Sequence, residues 1–149
     1  MKKIAIAILV VLAALCLCSC AGTQEKVEET KYPRIYTVTE ASREAVLLNA
    51  IKSVSAESAA AVGGIAELEK AVKSQIPAGF LKITLINDKR CSMMVSLTTS
   101  TNVLEGRIEN GSLVFEVGDT KDVYQLTNDM QMIMGNWYGV DVVLVYDEI

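Results

Sequence analysis

Residues 103–117 read VLEGRIENGSLVFEV. Asn110-Gly111 stands between two runs in which apolar and charged side chains alternate. A two-residue type I′ turn needs positive φ at both central positions, which Asn tolerates and Gly accepts freely. The stretch therefore predicts a β-hairpin with strands over 103–109 and 112–117. Leu104, Gly106 and Ile108 face away from Glu105, Arg107 and Glu109, while Leu113, Phe115 and Val117 face away from Glu116. One face is buried and the other wet, as in an antiparallel meander.

The same texture extends to both sides. From Phe80 to the end, short β-rich runs are separated by turn residues, with strands expected over 81–86, 91–97, 122–127, 130–134 and 139–146. Asn87-Asp88, Gly118-Asp119 and Asn128-Asp129 are the other expected corners. The last run, VDVVLVY, is apolar on both faces and belongs centrally or beneath helices. Before Phe80 the period changes. Thr37-Val-Thr-Glu40 has the spacing of a capping box. Ala41, Ala45, Leu48 and Ile51 then recur every three or four residues, with Leu47 and Val54 widening the stripe. This predicts an amphipathic helix over 38–54. Gly63-Gly64 should break the small-residue stretch that follows. A second helix over 65–76 should bury Ile65, Leu68, Val72 and Ile76, show Glu69 and Lys73 as an i,i+4 pair, and end at Pro77 and Gly79.

The amino terminus carries a different signal. Residues 1–20 read MKKIAIAILVVLAALCLCSC. Two lysines precede an apolar run from Ile4 to Leu15, too short to span a bilayer comfortably but suited to a secretory signal. Leu17-Cys18-Ser19-Cys20 resembles the lipobox of bacterial lipoproteins, in which small residues precede a cysteine whose thiol takes a diacylglycerol. Cys16 and Cys18 fit less well, because each follows a leucine. The resemblance implies a signal peptide over 1–19, lipidation at Cys20 and a membrane anchor. Ala21, where an Asp would resemble an inner-membrane retention signal, favours the outer membrane. Residues 20–34 are polar and acidic and read as a solvated tether, leaving 35–149 as a single domain. Asn110-Gly-Ser112 also fits a glycosylation sequon, but in a bacterial lipoprotein the turn is the better account.

Without residues 1–19 the chain has 130 residues, enough for one domain with a real core. Of its 14 basic side chains, Lys2 and Lys3 leave with the signal, so 12 face 18 acidic ones and the net charge is −6. Scattered bases on an acidic chain give no footprint for nucleic acid. Cys91 is the only thiol left after processing, so no disulfide can form within the chain. It opens the run CSMMVSL and reads either as a buried small hydrophobe or as a reactive thiol. The chain has no histidine, which removes the common zinc sets and every Ser-His-Asp or Cys-His arrangement. Asp119-Thr-Lys-Asp122 lacks the alternating oxygens of a calcium loop and reads as a charged corner. Asp147-Glu148 reads as a solvated chain end, and Glu105, Arg107 and Glu109 either form a polar groove or pair across strands.

A lipobox, an alanine-rich helical lead and hairpins reading LEGRIENGSLVFEV, DVYQLTNDMQMIM and GVDVVLVY resemble the small lipocalin-like lipoproteins of bacterial envelopes. The resemblance covers residues 80–149. The Gly-x-Trp motif that lipocalins carry at their first strand is missing there; Gly135-Asn-Trp137 has the spacing but precedes the last strand. Seven strands are few for an eight-stranded calyx. The expected fold is thus α+β, with amino-terminal helices packed on an antiparallel β-meander that forms a partly open, lipocalin-like barrel or curved sheet.

Few groups remain that activate water or a nucleophile at neutral pH, so binding is expected rather than catalysis, with no cofactor and no metal. Met93, Met94, Met130, Met132 and Met134 either fill the core or line an adaptable apolar surface. If a cavity forms, the helix–sheet junction should hold it, lined by Met94, Met132, Leu144 and Leu48 and open to an apolar small molecule. The alternative is a filled core and a surface patch that binds another envelope protein. Trp137 and Tyr138 are either an exposed recognition pair or a plug at the end of the sheet.

Overall fold

The computed structural model describes residues 30–148. Its eight strands are β1 (Arg34–Val38), β2 (Leu81–Leu85), β3 (Arg90–Leu97), β4 (Ser100–Glu109), β5 (Ser112–Val117), β6 (Thr120–Leu126), β7 (Met132–Trp137) and β8 (Val140–Tyr146). Each pairs antiparallel with its neighbour in sequence, and β1 pairs with β8 to close a barrel. Three helices lie between β1 and β2: α1 (Glu40–Lys52), α2 (Ala56–Ala61) and α3 (Ile65–Gln75). The α+β class and the meander are as expected.

Closure is the main departure from the sequence-based expectation, and β1 is its cause. The sequence places Arg34 at the end of the tether and Thr37 and Val38 at a helix start, and assigns Ile35 and Tyr36 no element. The strand state of β1 depends on partners far along the chain: Tyr36 lies opposite Ile83 on one side and Tyr146 on the other. The helix cap accordingly falls two residues later than the expected box. Thr39, extended at ψ 153°, accepts a hydrogen bond from the Ser42 amide, and α1 starts at Glu40. Thr37 instead donates its hydroxyl to Asp147, which is therefore an engaged residue and not a solvated end. Beyond β1, the exposed edge of β8 is satisfied by this cap. Thr39 donates its amide to Val143, whose own amide reaches the buried Ser42 hydroxyl. The first residues of α1 are thereby stitched to the barrel wall.

Inside, alternation does what the sequence implied, except in β5, where Val117 is 52 % exposed and the out-of-phase Val114 is buried. Leu81, Ile83 and Leu85, Cys91 and Met93, Leu113 and Phe115, Tyr124, Ile133, and Val142 and Leu144 are all buried in one core with Tyr36. Two glycines make this filling possible. A Cβ on Gly106 would stand 2.6 Å from the Phe115 ring, and one on Gly135 would stand 2.1 Å from the Tyr124 ring. The two rings meet edge to face with centroids 6.0 Å apart. The wall is bare of side chains where the largest rings lie, and the rings replace them.

The helices close one end of the barrel. Val46 and Leu47 of α1, with Ile76 just past α3, are buried in the same core as Phe80 at the start of β2. α3 contributes less than its pattern suggested: none of its own residues is buried, Ile65 is 68 % exposed, and Val72 packs only partly against the core. Its Glu69–Lys73 pair forms at 2.7 Å. Gly63 and Gly64, at φ +98° and +104°, make the expected break before it. Among the described residues no helix is long and apolar enough to cross a membrane.

Candidate functional site

Two strand connections in this chain share one backbone geometry and differ in their residues. At the β4–β5 corner, Glu109 lies opposite Ser112, and Asn110-Gly111 turns the chain at φ +51° and +79°. At the β7–β8 corner, Trp137 lies opposite Val140, and Tyr138-Gly139 turns it at φ +48° and +84°. The first is the residue pair that a type I′ turn favours. The second places a bulky aromatic residue in the left-handed region, at a cost of about 1–2 kcal/mol. Tyr138 is also 84 % exposed, so burial returns little of that cost.

Its neighbour turns the other way. Trp137 is half-buried and meets Phe80 edge to face at 5.2 Å, capping the barrel core. Tyr138 meets Trp137 edge to face at 4.8 Å on the solvent side. Trp137 thus plugs the barrel end, and Tyr138 projects from it.

The pair forms one wall of a groove of about 300 Å³ at the helix–barrel junction. α1 supplies Val46, Asn49, Ala50 and Ser53, which its 3.6-residue period sets on one side of the helix. Ile76 and Val140 complete the lining. Among the described residues no Asp, Glu, Lys or Arg lines the groove. Ser53 donates its hydroxyl to the Asn49 carbonyl, which leaves the hydroxyl oxygen able to accept. The Asn49 side-chain amide has no hydrogen-bond partner among the described residues.

A second depression, of about 270 Å³, lies outside the β4–β5 wall between Glu105, Gly106, Arg107, Val114 and Glu116. Its charges are already engaged with one another. Arg107 reaches Glu109 at 2.5 Å and Glu116 across the strand pair at 2.9 Å, and Arg90 lies 3.6 Å from Glu105. The Arg107 guanidinium holds the Glu116 carboxyl below its usual range. This is the cross-strand pairing alternative. Among the described residues no cluster of three or more His, Cys, Asp or Glu is placed to hold a metal ion. Cys91 is buried, and burial pushes its thiol up to about 11.

The four residues expected to line an apolar cavity do not come together. Leu144 points into the filled barrel interior. Met94 and Met132 follow the inward Met93 and precede the inward Ile133, so alternation turns both to the outer wall, where Met132 is 38 % exposed. Leu48 faces away from the groove on α1 and is 57 % exposed. Closure of the sheet is the physical reason: it turns the inward side chains of this barrel, Phe115 and Tyr124 among them, into one buried cluster. The junction between helix and barrel does hold a recess, lined by the other side of α1 and by the hairpin. Cys20 lies outside the described residues.

No family model matches the chain, and no curated protein or solved structure does. The closed eight-stranded antiparallel barrel with its helices is consistent with a lipocalin-like fold.

Proposed function

We propose that this chain is a lipid-anchored lipoprotein of the bacterial envelope, held at the outer membrane through Cys20, and that its domain binds an uncharged small molecule in the groove between α1 and the β7–β8 hairpin. Binding, not catalysis, is its role. The anchor rests on the Leu17-Cys18-Ser19-Cys20 spacing behind a short apolar signal. The binding role rests chiefly on Tyr138. An exposed ring held in the left-handed region, at a turn where this chain elsewhere uses Asn, is a local cost that its edge-to-face contact with Trp137 offsets only in part. Such outliers concentrate at ligand-contacting positions. The groove beside it combines apolar lining with a few polar groups, as small-molecule sites do.

The filled barrel supports a second reading, in which the domain acts through its surface on another envelope protein. Met132, Met134 and Val145 leave apolar side chains exposed on the outer wall. Native mass spectrometry of the protein extracted from its own envelope separates the two. A bound small molecule that Tyr138→Asn loses supports the groove. A clean, unliganded mass together with a protein partner captured by crosslinking in cells moves the function to the surface. For the anchor, Cys20→Ser should leave the precursor unprocessed; normal maturation would place the lipid elsewhere.

A further inference from the structure

The groove lining carries information about ligand class, and this step rests on the groove being the binding site. Its composition is narrow: an exposed phenol ring, the edge of a half-buried indole, aliphatic Val46, Ala50, Ile76 and Val140, and two polar groups, Asn49 and Ser53. A carboxylate, phosphate or ammonium meets no charged side chain in the lining among the described residues, and the guanidinium beside it, Arg43, is already held by Glu40 and the Ile76 carbonyl. The lining therefore favours uncharged ligands. An acyl chain also needs an enclosed apolar channel, and the barrel interior that would supply one is occupied by Phe115, Tyr124 and their neighbours.

What remains is a neutral ring with one apolar face and a polar edge. Tyr138 stands out from the surface with its ring exposed, as a platform against which a flat apolar face can rest. Across from it, the Asn49 amide offers both a donor and an acceptor, the set that a hydroxyl requires because it both gives and takes a hydrogen bond. Ser53, with its proton committed to the Asn49 carbonyl, offers an acceptor only. A pyranose has both features: C–H bonds make its face apolar, and hydroxyls ring its edge. We infer that the groove between α1 and the β7–β8 hairpin binds a neutral sugar ring, stacked on Tyr138 and hydrogen-bonded at its edge by Asn49.

The chain carries its own reporter, because Trp137 is the only tryptophan in the sequence and lies in the groove wall. The full chain in detergent micelles is titrated with cellotriose, maltotriose and triacetylchitotriose, and with benzyl alcohol as an uncharged ring lacking the polyhydroxyl edge. The expected result is a saturable change in Trp137 emission with at least one trisaccharide. Tyr138→Asn and Asn49→Ala should each weaken it by about tenfold, while Tyr138→Phe, which keeps the ring, should retain it. If no trisaccharide changes the emission but benzyl alcohol does, and Tyr138→Asn abolishes that response, the sugar assignment is overturned and the groove stands. If neither class of probe acts, both fail. Trisaccharide binding that survives both Tyr138→Asn and Asn49→Ala would also overturn the proposal, by placing the sugar elsewhere.

Discussion

Replacing Tyr138 with asparagine separates the cost of its backbone from the use of its ring. The β7–β8 turn holds Tyr138 at φ +48°, almost the same angle at which Asn110 sits in the β4–β5 turn. Relief of the left-handed conformation is worth about 1–2 kcal/mol. Against this stands the lost edge-to-face contact with Trp137, worth about 0.5–1.5 kcal/mol for an aromatic pair. The exposed ring forfeits little burial, so the net expectation is a gain of about 0.5 kcal/mol. For a domain of this length that raises the thermal midpoint by roughly 2 °C. Differential scanning calorimetry of the wild type and Tyr138→Asn measures it, and the Trp137 titration on the same samples measures binding. A more stable protein that no longer binds is the expected pair of results. An unchanged or lowered midpoint would mean that Tyr138 contributes to folding, and its positive φ would then carry no implication for function.

Other consequences follow from the turns and the core. Gly111→Val puts a β-branched residue at φ +79° and should destabilise by about 1–3 kcal/mol; an unaltered urea midpoint would show the register is fixed elsewhere. Gly135→Ala places a methyl 2.1 Å from the Tyr124 ring and should cost about 1–3 kcal/mol, with part of the loss recovered in the Gly135→Ala, Tyr124→Leu double variant. Additive losses would mean the two positions do not share that space. Burial raises the Cys91 thiol from 9.0 to about 11. Its contribution is therefore complete below pH 9 and is lost as the pH rises through 11, amounting to roughly 3 kcal/mol over that window. Denaturant midpoints across that range should fall more steeply for wild type than for Cys91→Ala, and bulky maleimides should label the native thiol only slowly; equal slopes would place the thiol in contact with solvent.

Much of the barrel was legible because hairpins are local. Asn110-Gly111 and the alternation beside it specify two strands within fifteen residues, and Asn87 fixes its corner by accepting from the Lys89 and Arg90 amides. β1 was not legible. Its five residues gain strand character only from β2 and β8, and a capping-box spacing at Thr37–Glu40 offered a competing local explanation. That omission had consequences for the site. Without an eighth strand the sheet reads as open, which places a cavity at the helix–sheet junction lined by Met94, Met132, Leu144 and Leu48. With β1 in place the inside is full and two of those methionines point outward. The location of the recess, between helix and sheet, followed from the need to cover a barrel end with an amphipathic helix. Its lining did not, because which side of α1 faces the hairpin depends on the Thr39 cap and the Ser42–Val143 bond. Trp137-Tyr138 was visible as an aromatic pair beside glycine, but only the backbone reveals that Tyr138 occupies the position of an Asn.

Backbone amide shift mapping of the isotopically labelled protein with a set of uncharged ring compounds tests the location of the site most directly. Saturable shifts should concentrate at Asn49, Ala50, Ser53 and the 137–140 turn, with the barrel-interior amides of β3 and β5 unmoved. Shifts that cluster on the outer wall around Met132 and Val145, or within the barrel, would contradict the groove as the binding site.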